Sequence, residues 1–289
     1  MAIIFYCPTE EAFERVEKYS KEFDNILIVD NSEYTEENKR KLSKYDVVTY
    51  HSMGGNQGMS NALSYAYMWA IECNIDYLLT MDQDTNYQNH EISKMKQFIE
   101  EKADSSIAIY SANYAKCYKS DNEMIYGNTN IKGDEVKSVL FSMTSGSYMN
   151  VEFLKSIIPL DDWFIGFVDY DVCASIKQKF PETKFVRYGN SVMYQEVGEL
   201  VKGNMFNRLF QVVHLSDIRY YYMSRNIKYF CEKYRLNKKY IRIAKLQLFR
   251  IYINILFEKN RCKKISCIIK GKEAYKNKEL GIALINYNA

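Results

Sequence analysis

Two carboxylates, Asp82 and Asp84, stand one residue apart at the end of a short apolar run, in the segment YLLTMDQDT at Tyr77–Thr85. A short apolar run of this kind is typical of a buried strand in a parallel sheet. Ligands of open α/β sheets bind beyond the carboxyl ends of such strands, and two acids there could hold a divalent cation that in turn holds phosphates. The simpler interpretation is an Asx-type turn that only ends the strand.

Two further stretches carry residue types that suit a ligand site. Asp169 and Asp171 fall in the first turn of a helix predicted to begin around Val168. The simpler interpretation of both is a favourable interaction with the helix dipole, which stabilises a helix by about 0.3–1 kcal/mol for each acid. The stretch GGNQGMSN at 54–61 resembles a phosphate-cradling turn before a helix. It is neither G-x-G-x-x-G nor a P-loop, so ordinary loop chemistry is the simpler interpretation.

The elements that must position these residues alternate between strand and helix. The hydrophobic pattern predicts strands at 2–7, 25–30, 46–50 and 77–82, with helices at 9–22 and 35–44, an apolar helix that opens in the stretch 54–61 and runs to about 73, and a helix near 90–102. Further strands are predicted at 105–115, 136–149 and 184–194, and two late helices at 217–235 and 238–258. This alternation indicates an α/β fold with a doubly wound, mainly parallel sheet.

The composition excludes several classes of protein. With 47% apolar residues, 26 Tyr and only 3 Pro, the 289-residue chain is expected to fold around a full core. Its seven cysteines contain no C-x-x-C, which favours reduced thiols in the cytoplasm, and its three histidines have no zinc-ligand spacing. The chain opens on a predicted strand, so no secretory signal is expected. The longest nearly apolar run, Leu248–Phe257, contains Arg250 and Asn254 and cannot span a bilayer.

The net charge of +3 hides a division between two parts of the chain. Residues 201–289 hold 20 Lys or Arg and 5 Asp or Glu, a net charge of +15, whereas residues 1–200 have a net charge of −12. A basic part of this kind suits an anionic partner. Nucleic acid is not predicted, because the N-terminal part is acidic and contains no recognisable module. In the helix at 238–258, Leu246, Phe249, Ile253 and Leu256 share one face, which is typical of a surface helix or a membrane-surface element.

The order of the motifs resembles family 2 of the inverting glycosyltransferases, which have the GT-A fold. The motifs are Tyr6-Cys7-Pro8, Asp30-Asn31-Ser32, Gly55-Asn56-Gln57-Gly58-Met59-Ser60-Asn61, Asp82-Gln83-Asp84, Val168-Asp169-Tyr170-Asp171, Glu196-Val197-Gly198 and Tyr222-Met223-Ser224-Arg225-Asn226. The Asp-Gln-Asp form and the late Tyr-x-x-x-Arg-Asn are most similar to bacterial rhamnosyltransferases. The resemblance covers residues 2–230 and implies a GT-A catalytic domain at 1–215, followed by a helical, basic C-terminal region at 216–289.

The resemblance also implies roles for individual residues. By this resemblance, Asp169 is the catalytic base, Asp82 lies near the ribose and the metal, and Asp84 binds Mg²⁺ or Mn²⁺ directly. The other residues expected at the nucleotide-sugar site are Tyr6, Pro8, Asp30, Asn56, Gly58 and Asn61. Among them, Asp30 matches the acid that usually hydrogen-bonds the pyrimidine base in this family.

Three positions depart from the family pattern. Cys7 replaces the usual Asn, and Val168 stands where Glu is commoner. The third, Gln195, occupies the place of a His that can help to ligate the metal. An amide oxygen can ligate Mg²⁺ without charge, so water and phosphate oxygens are expected to help complete the metal site.

The function implied by the resemblance is transfer of a sugar, with rhamnose from dTDP-rhamnose favoured, to a glycan or a polyprenyl-diphosphate-linked acceptor in bacterial surface polysaccharide synthesis. The same fold could instead use a UDP-hexose or UDP-galactofuranose donor. A third hypothesis is a GT-A domain that binds nucleotide-sugar or glycan without turnover. The C-terminal region is expected to contact an anionic membrane at its inner face, and the alternatives are packing on the catalytic domain or a homodimer contact.

Overall fold

The computed structural model describes residues 1–88, 90–102, 104–120, 123–126, 129, 131–196 and 215–283, and Val197 and Gly198 of the Glu-Val-Gly motif lie outside them. The strands are β1 Ala2–Phe5, β2 Ile26–Asp30, β3 Val48–Ser52, β4 Tyr77–Asp82, β5 Thr85–Tyr87, β6 Ile107–Ser120, β7 Glu123–Tyr126, β8 Val136–Ser138, β9 Ser147–Asn150 and β10 Lys184–Glu196. The helices are α1 Glu10–Tyr19, α2 Glu36–Leu42, α3 Gly58–Glu72, α4 Glu91–Glu101, α5 Val151–Leu154, α6 Val168–Lys179, α7 Asp217–Lys233, α8 Lys238–Ile255 and α9 Arg261–Lys276.

These strands form one mixed sheet in the order β3-β2-β1-β4-β9-β6-β10-β5, with β7 paired to β6 and β8 paired to β10. The half made of β3, β2, β1 and β4 is parallel, and β6 runs parallel to β10. The strand β9 lies antiparallel between β4 and β6. The predicted fold class, a mixed α/β sheet flanked by helices, is confirmed.

The order 3-2-1-4 in the parallel half has a functional consequence. The chain moves outward from β1 through β2 to β3, and then returns to place β4 on the other side of β1. The carboxyl ends of β1 and β4 therefore border a crevice at a topological switch point, where α/β sheets bind ligands. The residues that follow these two strands are Tyr6 and Gln83.

The C-terminal helices pack on the sheet domain around a shared core. One hydrophobic cluster joins β-strand residues such as Ile4 and Leu78 with Trp163, with Tyr220 of α7 and with Ile268 of α9. Seven cysteines are free thiols, in line with the sequence expectation. Among the described residues, no helix is both long enough and apolar enough to cross a membrane.

Several predicted elements have different bounds in the structure. The predicted strand at 136–149 is two strands, because β8 pairs with β10 whereas β9 lies between β4 and β6, and residues 139–146 connect these two places. The predicted helix at 238–258 ends at Ile255, and its buried residues are Tyr240, Ala244, Ile251 and Ile255. The apolar face predicted from the sequence is thus not the face that packs, since Phe249 is 57% exposed.

Candidate active site

A cavity of about 590 Å³ opens at the switch point between β1 and β4. One of its sides consists of residues at the ends of parallel strands and at the start of α3, and the other comes from the segment before α6 and from the C-terminal region. Its lining residues are Ile4, Tyr6, Asn31, Asn56, Gly58, Met59, Asp82, Gln83, Asp84, Phe164, Ile165, Ser216, Ile218, Arg219, Tyr222, Ile282 and Ala283.

Gln83, the middle residue of the Asp-Gln-Asp motif, joins the ends of the two central strands. Its Oε1 accepts from the backbone N of Tyr6 at 2.8 Å, and its Nε2 donates to the Tyr6 carbonyl at 3.0 Å. Arg15 also donates to the Gln83 carbonyl. These bonds fix the backbone between Asp82 and Asp84, so that both carboxylates are held at the crevice by a rigid turn.

The environment of Asp82 is strongly anionic. The pKa of Asp82 is raised to about 7, mainly by burial and also by the charges of Asp84 and Asp169. Arg219 acts in the opposite direction, as does the hydrogen bond of Ser145. The structure therefore brings the two motif carboxylates, the predicted base Asp169 and Arg219 of α7 into one electrostatic cluster.

Asp169 is positioned by Thr144, which lies in the segment between β8 and β9. The Thr144 backbone N donates to Asp169 Oδ1 at 3.0 Å, and the Thr144 hydroxyl donates to the same oxygen at 2.6 Å. The Thr80 hydroxyl of β4 donates to the Thr144 carbonyl at 2.6 Å. Burial raises the pKa of Asp169, while the Thr144 bonds and the charge of Arg219 oppose that rise. A carboxylate of raised pKa with one oxygen held in place suits proton transfer.

The crevice offers the carboxylates of Asp82 and Asp84 as donor groups for a divalent cation. No group of three or more His, Cys, Asp or Glu suited to a metal ion occurs among the residues that the structure describes. Mg²⁺ is commonly held by one or two carboxylates together with substrate phosphates, so Asp82 and Asp84 fit this mode of binding. The raised pKa of Asp82 supports the fit, because carboxylates that repel one another favour a nearby cation.

Gln195 lies beside the Asp-Gln-Asp motif, although it is not among the cavity-lining residues. In the antiparallel pair of β10 and β5, Gln195 stands directly opposite Thr85, the residue after Asp84. Opposite residues of an antiparallel pair extend to the same face of the sheet. The Thr85 hydroxyl lies 2.7 Å from that of Ser145, which accepts from the Asp82 backbone N at 2.8 Å. Gln195 thus shares its sheet face with Thr85, the residue that follows the motif.

Asp30 differs most from the expectation for a base-binding acid. It is completely buried and accepts three hydrogen bonds, from Ser32 N at 2.8 Å, Asn38 Nδ2 at 2.8 Å and Tyr50 OH at 2.6 Å. In this arrangement the carboxylate orders the segment after β2. A role with a nucleotide base stays a prediction, and Asn31, the next residue, is the one that reaches the cavity.

The Gly-rich stretch is shaped by hydrogen bonds from its own and neighbouring side chains. Asn31 Nδ2 donates to the Gly58 carbonyl at 3.1 Å, and Asn31 Oδ1 accepts from Gln57 N at 3.2 Å. Asn56 Oδ1 accepts from Gly58 N at 3.1 Å. Gly58 has φ +83°, and a Cβ there would lie 2.7 Å from backbone atoms of Phe164, so only glycine fits.

The remaining predicted residues lie around the cavity rather than in its lining. Asn61 donates to the Gln57 carbonyl at 3.0 Å and to Asp162 Oδ1 at 3.2 Å, which ties α3 to the segment before α6. Pro8 is partly buried after β1. Of the predicted site residues, those that line the cavity are Tyr6, Asn56, Gly58, Asp82 and Asp84.

The C-terminal region contributes residues that the sequence reasoning missed. Arg219 lies in the first turn of α7, is exposed at the cavity, and acts electrostatically on both Asp82 and Asp169. Ile218, Tyr222 and Ile282 add an apolar wall. Only the basic charge of the C-terminal region hinted at Arg219, and that signal could not single out one residue of twenty.

The Arg-Asn pair of the late motif holds the segment that leads into α6. Fully buried Arg225 donates to the carbonyls of Trp163 at 3.0 Å and Gly281 at 2.9 Å. Asn226 Nδ2 lies 2.9 Å from each of the carbonyls of Trp163, Ile165 and Gly166. The Arg-Asn pair therefore supports the cavity from behind, whereas Tyr222 of the same motif lines it.

The chain matches one known protein family over more than half of its length. Residues 7–157, more than half of the chain, match the family model described as "Glycosyl transferase family 2". One matching solved structure is "Crystal structure of GalNAc-T7 with UDP, GalNAc and Mn2+", with 14% sequence identity and a TM-score of 0.49. That match covers 78% of this chain and 50% of that chain, so this chain spans half of its length. No curated protein matches the sequence.

Proposed function

Because the chain belongs to glycosyl transferase family 2, we propose that it is a metal-dependent, inverting enzyme that moves a sugar from a nucleoside-diphosphate donor to an acceptor hydroxyl. The observation that carries this proposal is the cluster of Asp82, Asp84 and Arg219 in the lining of the switch-point cavity, with Asp169 outside the lining but close enough to act electrostatically on Asp82. A diphosphate leaving group needs positive charge around it, and an attacking hydroxyl needs a base.

In the proposed reaction, Asp169 takes the proton of the acceptor hydroxyl as its oxygen attacks the anomeric carbon. The bond from that carbon to the donor diphosphate breaks, and the diphosphate leaves with the electron pair. Thr144 keeps one Asp169 oxygen engaged, so that the other oxygen faces the acceptor. A single displacement from the opposite face inverts the anomeric centre and needs no nucleophile from the enzyme.

The leaving diphosphate would be received by two kinds of group. A divalent cation bound by Asp82 and Asp84, with Gln195 nearby, would supply Lewis-acid neutralisation of the phosphates. Arg219 offers a guanidinium from the opposite wall, whose fixed fork suits phosphate oxygens. Tyr6, Asn31 and Asn56 line the side of the cavity that we assign to the nucleotide.

For the donor we favour dTDP-rhamnose, on the Asp-Gln-Asp form and the late Tyr-x-x-x-Arg-Asn, with a UDP-hexose or UDP-galactofuranose as the alternative. The proposed acceptor is a glycan or a polyprenyl-diphosphate-linked sugar, in the synthesis of a bacterial capsule or cell-wall polysaccharide. The net charge of +15 in residues 201–289 supports work at the inner face of the cell membrane, beside an anionic surface. A homodimer through the C-terminal region is the competing use of those helices.

The test is a screen of nucleotide-sugars with Mg²⁺ or Mn²⁺, which reads thermal stabilisation and released nucleotide on the same samples. We expect stabilisation and turnover with one donor. Asp169→Asn should lower turnover about 10²- to 10⁴-fold and keep donor stabilisation, since a general base contributes about that factor. Asp24→Asn, at an exposed position, is the matched control. Full turnover by Asp169→Asn would remove Asp169 as the base, and stabilisation without any turnover would favour a binding domain.

A further inference from the structure

The helices α8 and α9 carry a set of large apolar side chains that point outward. They follow one another at three- and four-residue spacing on each helix, and their exposed fractions run from 41% for Tyr252 to 57% for Phe249. We call this set the α8–α9 surface, and its members are Leu246, Phe249, Tyr252 and Leu256 together with Ile265 and Ile269.

These residues are not the ones that attach the helices to the protein. The packing side of α8 consists of Tyr240, Ala244, Ile251 and Ile255, all buried. On α9 the packing side includes Gly271, where a Cβ would lie 2.2 Å from Ser224 Oγ of α7. Each helix therefore has a second apolar side beyond the one that its packing requires. A contiguous exposed apolar area of this kind marks a contact with a partner or a membrane.

The outward sides of the two helices meet. Lys272 of α9 donates from its Nζ to the Tyr252 hydroxyl of α8 at 2.6 Å. On α9, Ile265, Ile269 and Lys272 are spaced four and three residues apart, so that they share one side of the helix. The hydrogen bond thus joins the exposed side of α9 to that of α8.

Charge decides between the candidate occupants. Residues 238–276 contain 12 Lys or Arg and 2 Asp or Glu, a net charge of +10. Ten of these cations are exposed, whereas one of the two acids, Glu258, is buried in an ion pair with Lys264 at 2.5 Å. On α8, Lys238, Arg242 and Lys245 precede Phe249 at the same helical spacing, so that cations and apolar groups share the outward side. Two copies would bring like charges together, whereas an anionic surface would attract them.

We propose that the α8–α9 surface docks on the interface of an anionic lipid bilayer, with its apolar side chains in the headgroup region and its cations on the lipid phosphates. The inference rests on the membrane contact proposed above and identifies the residues that make it. An amphipathic helix that combines exposed aromatic and aliphatic groups with Lys and Arg is the chemistry of a surface-bound membrane helix.

The position of the cavity agrees with this orientation. Glu258, in the turn between α8 and α9, accepts from Leu215 N at 2.9 Å and from Tyr220 OH at 3.0 Å. These bonds hold the turn against the start of α7, where Ile218 and Arg219 line the cavity. Docking through Leu256, next to this turn, would bring the cavity close to the bilayer and to a lipid-linked acceptor.

The test is co-sedimentation of the full chain with vesicles of phosphatidylcholine, with and without phosphatidylglycerol. We expect binding only to the anionic vesicles, and weaker binding as salt rises. The double variant Phe249→Ser/Leu256→Ser should lower the partition coefficient about tenfold or more, since the burial of two large apolar side chains is lost. Tyr34→Ser, which removes a side chain that is 88% exposed and belongs to the N-terminal part, is the matched control and should not change binding.

The cationic contribution is tested separately. Arg242→Gln/Lys245→Gln should lower the partition coefficient roughly 30-fold, as expected for two charges near an anionic surface. The matched control is Lys21→Gln/Lys155→Gln, at exposed positions outside the surface, and it should change binding little. The thermal midpoint of each variant reports whether the fold is kept.

Three outcomes would overturn the proposal. If the wild-type chain does not bind anionic vesicles, the membrane contact is refuted. If the control variants lose as much binding as the surface variants, this surface is not the one that docks. A lipid-free dimer that Phe249→Ser/Leu256→Ser converts to monomer would show that a second copy is the occupant. Nucleotide release from the donor in solution is measured in parallel, so that loss of docking with turnover intact leaves the proposed reaction standing.

Discussion

Asn226 offers the sharpest test of how the protein positions Asp169, the carboxylate that we propose as the base. It is fully buried in α7, far along the chain from Asp169, and its Nδ2 lies 2.9 Å from each of three carbonyls of the segment Trp163–Gly166. That segment leads directly into α6, which carries Asp169. The perturbation is Asn226→Ala, which removes the donor and the acceptor together and adds no bulk.

The expected cost follows from the groups that lose a partner. The Trp163 carbonyl keeps two other donors, the backbone N of Ile165 and the guanidinium of Arg225. The carbonyls of Ile165 and Gly166 lose the donor that Asn226 supplies. Arg225 Nε also loses its acceptor, Asn226 Oδ1, which lies at 3.0 Å. A buried polar group without a partner costs about 1–3 kcal/mol, and a water molecule could recover part of that. We expect a loss of about 3 kcal/mol in the free energy of unfolding.

The backbone around these carbonyls makes an effect on catalysis equally expected. Phe164 and Phe167 have φ values of +64° and +66°, in the left-handed region that non-glycine residues rarely adopt. Such conformations persist only where surrounding contacts hold them, so loss of the Asn226 amide should let the segment relax and displace Asp169. A displacement of about 1 Å can cost about a hundredfold in rate, and we expect kcat to fall much more than the KM for the donor changes.

Urea denaturation and steady-state kinetics of the purified variant measure both effects, with kinetics recorded where the folded fraction is complete. Asn277→Ala is the matched control, because the Asn277 amide makes one exposed hydrogen bond, to Glu279. It should change the free energy of unfolding by less than about 0.5 kcal/mol. If Asn226→Ala is no less stable than Asn277→Ala, or keeps full kcat, the segment is held by other contacts and the reasoning fails.

Three further predictions concern the charged groups of the cavity. Thr144→Val removes one bond that lowers the pKa of Asp169, so the acid limb of the pH–rate profile should move to higher pH, whereas Thr144→Ser should leave it in place. Arg219→Met should weaken the binding of a nucleoside diphosphate about 10- to 100-fold in calorimetry, and should not change the affinity for the nucleoside without phosphates. The control Arg242→Met should change neither affinity. Mn²⁺ should raise the thermal midpoint of the wild type but not of Asp84→Asn, and EDTA should reverse the rise; equal stabilisation of both proteins would remove Asp84 from the metal site.

The parallel half of the fold was predictable because its signals are local. Each of β1, β2 and β4 is a short apolar run, and its length and flanking polar residues are enough to separate a buried strand from a helix. The motif residues Asp82 and Asp84 follow one of these runs directly, so their place at the crevice came with the strand. Asp169 joined them because the helix start at Val168 was readable from its own pattern.

The residues that were not predictable depend on contacts across long sequence separations. Arg219 reaches the cavity only because α7 packs beside the segment before α6, and nothing in its neighbours announces that packing. The short strand β5 and helix α9 were missed for a related reason. The pairing of Thr85 with Gln195 gives β5 its partner, and α9 has apolar residues on more than one side, so neither shows a single clear periodicity.

The place of Asp169 is set from two sides that the chain brings together late. On one side, α3 begins against the segment before α6, where Gly58 leaves no room for a side chain beside Phe164 and the Ser60 hydroxyl accepts from Phe164 N at 3.1 Å. On the other side, Asn226 of α7 holds the same segment through its carbonyls. The Gly-rich stretch before α3 and the C-terminal helix α7 therefore both contact the segment before α6, where Phe164 and Phe167 have positive φ values. A donor that orders the Gly-rich loop would act on the same segment that Asn226 of α7 holds, and Glu258 ties the turn between α8 and α9 to the start of α7. We therefore expect donor binding and the proposed membrane contact to be coupled at Asp169, the proposed base.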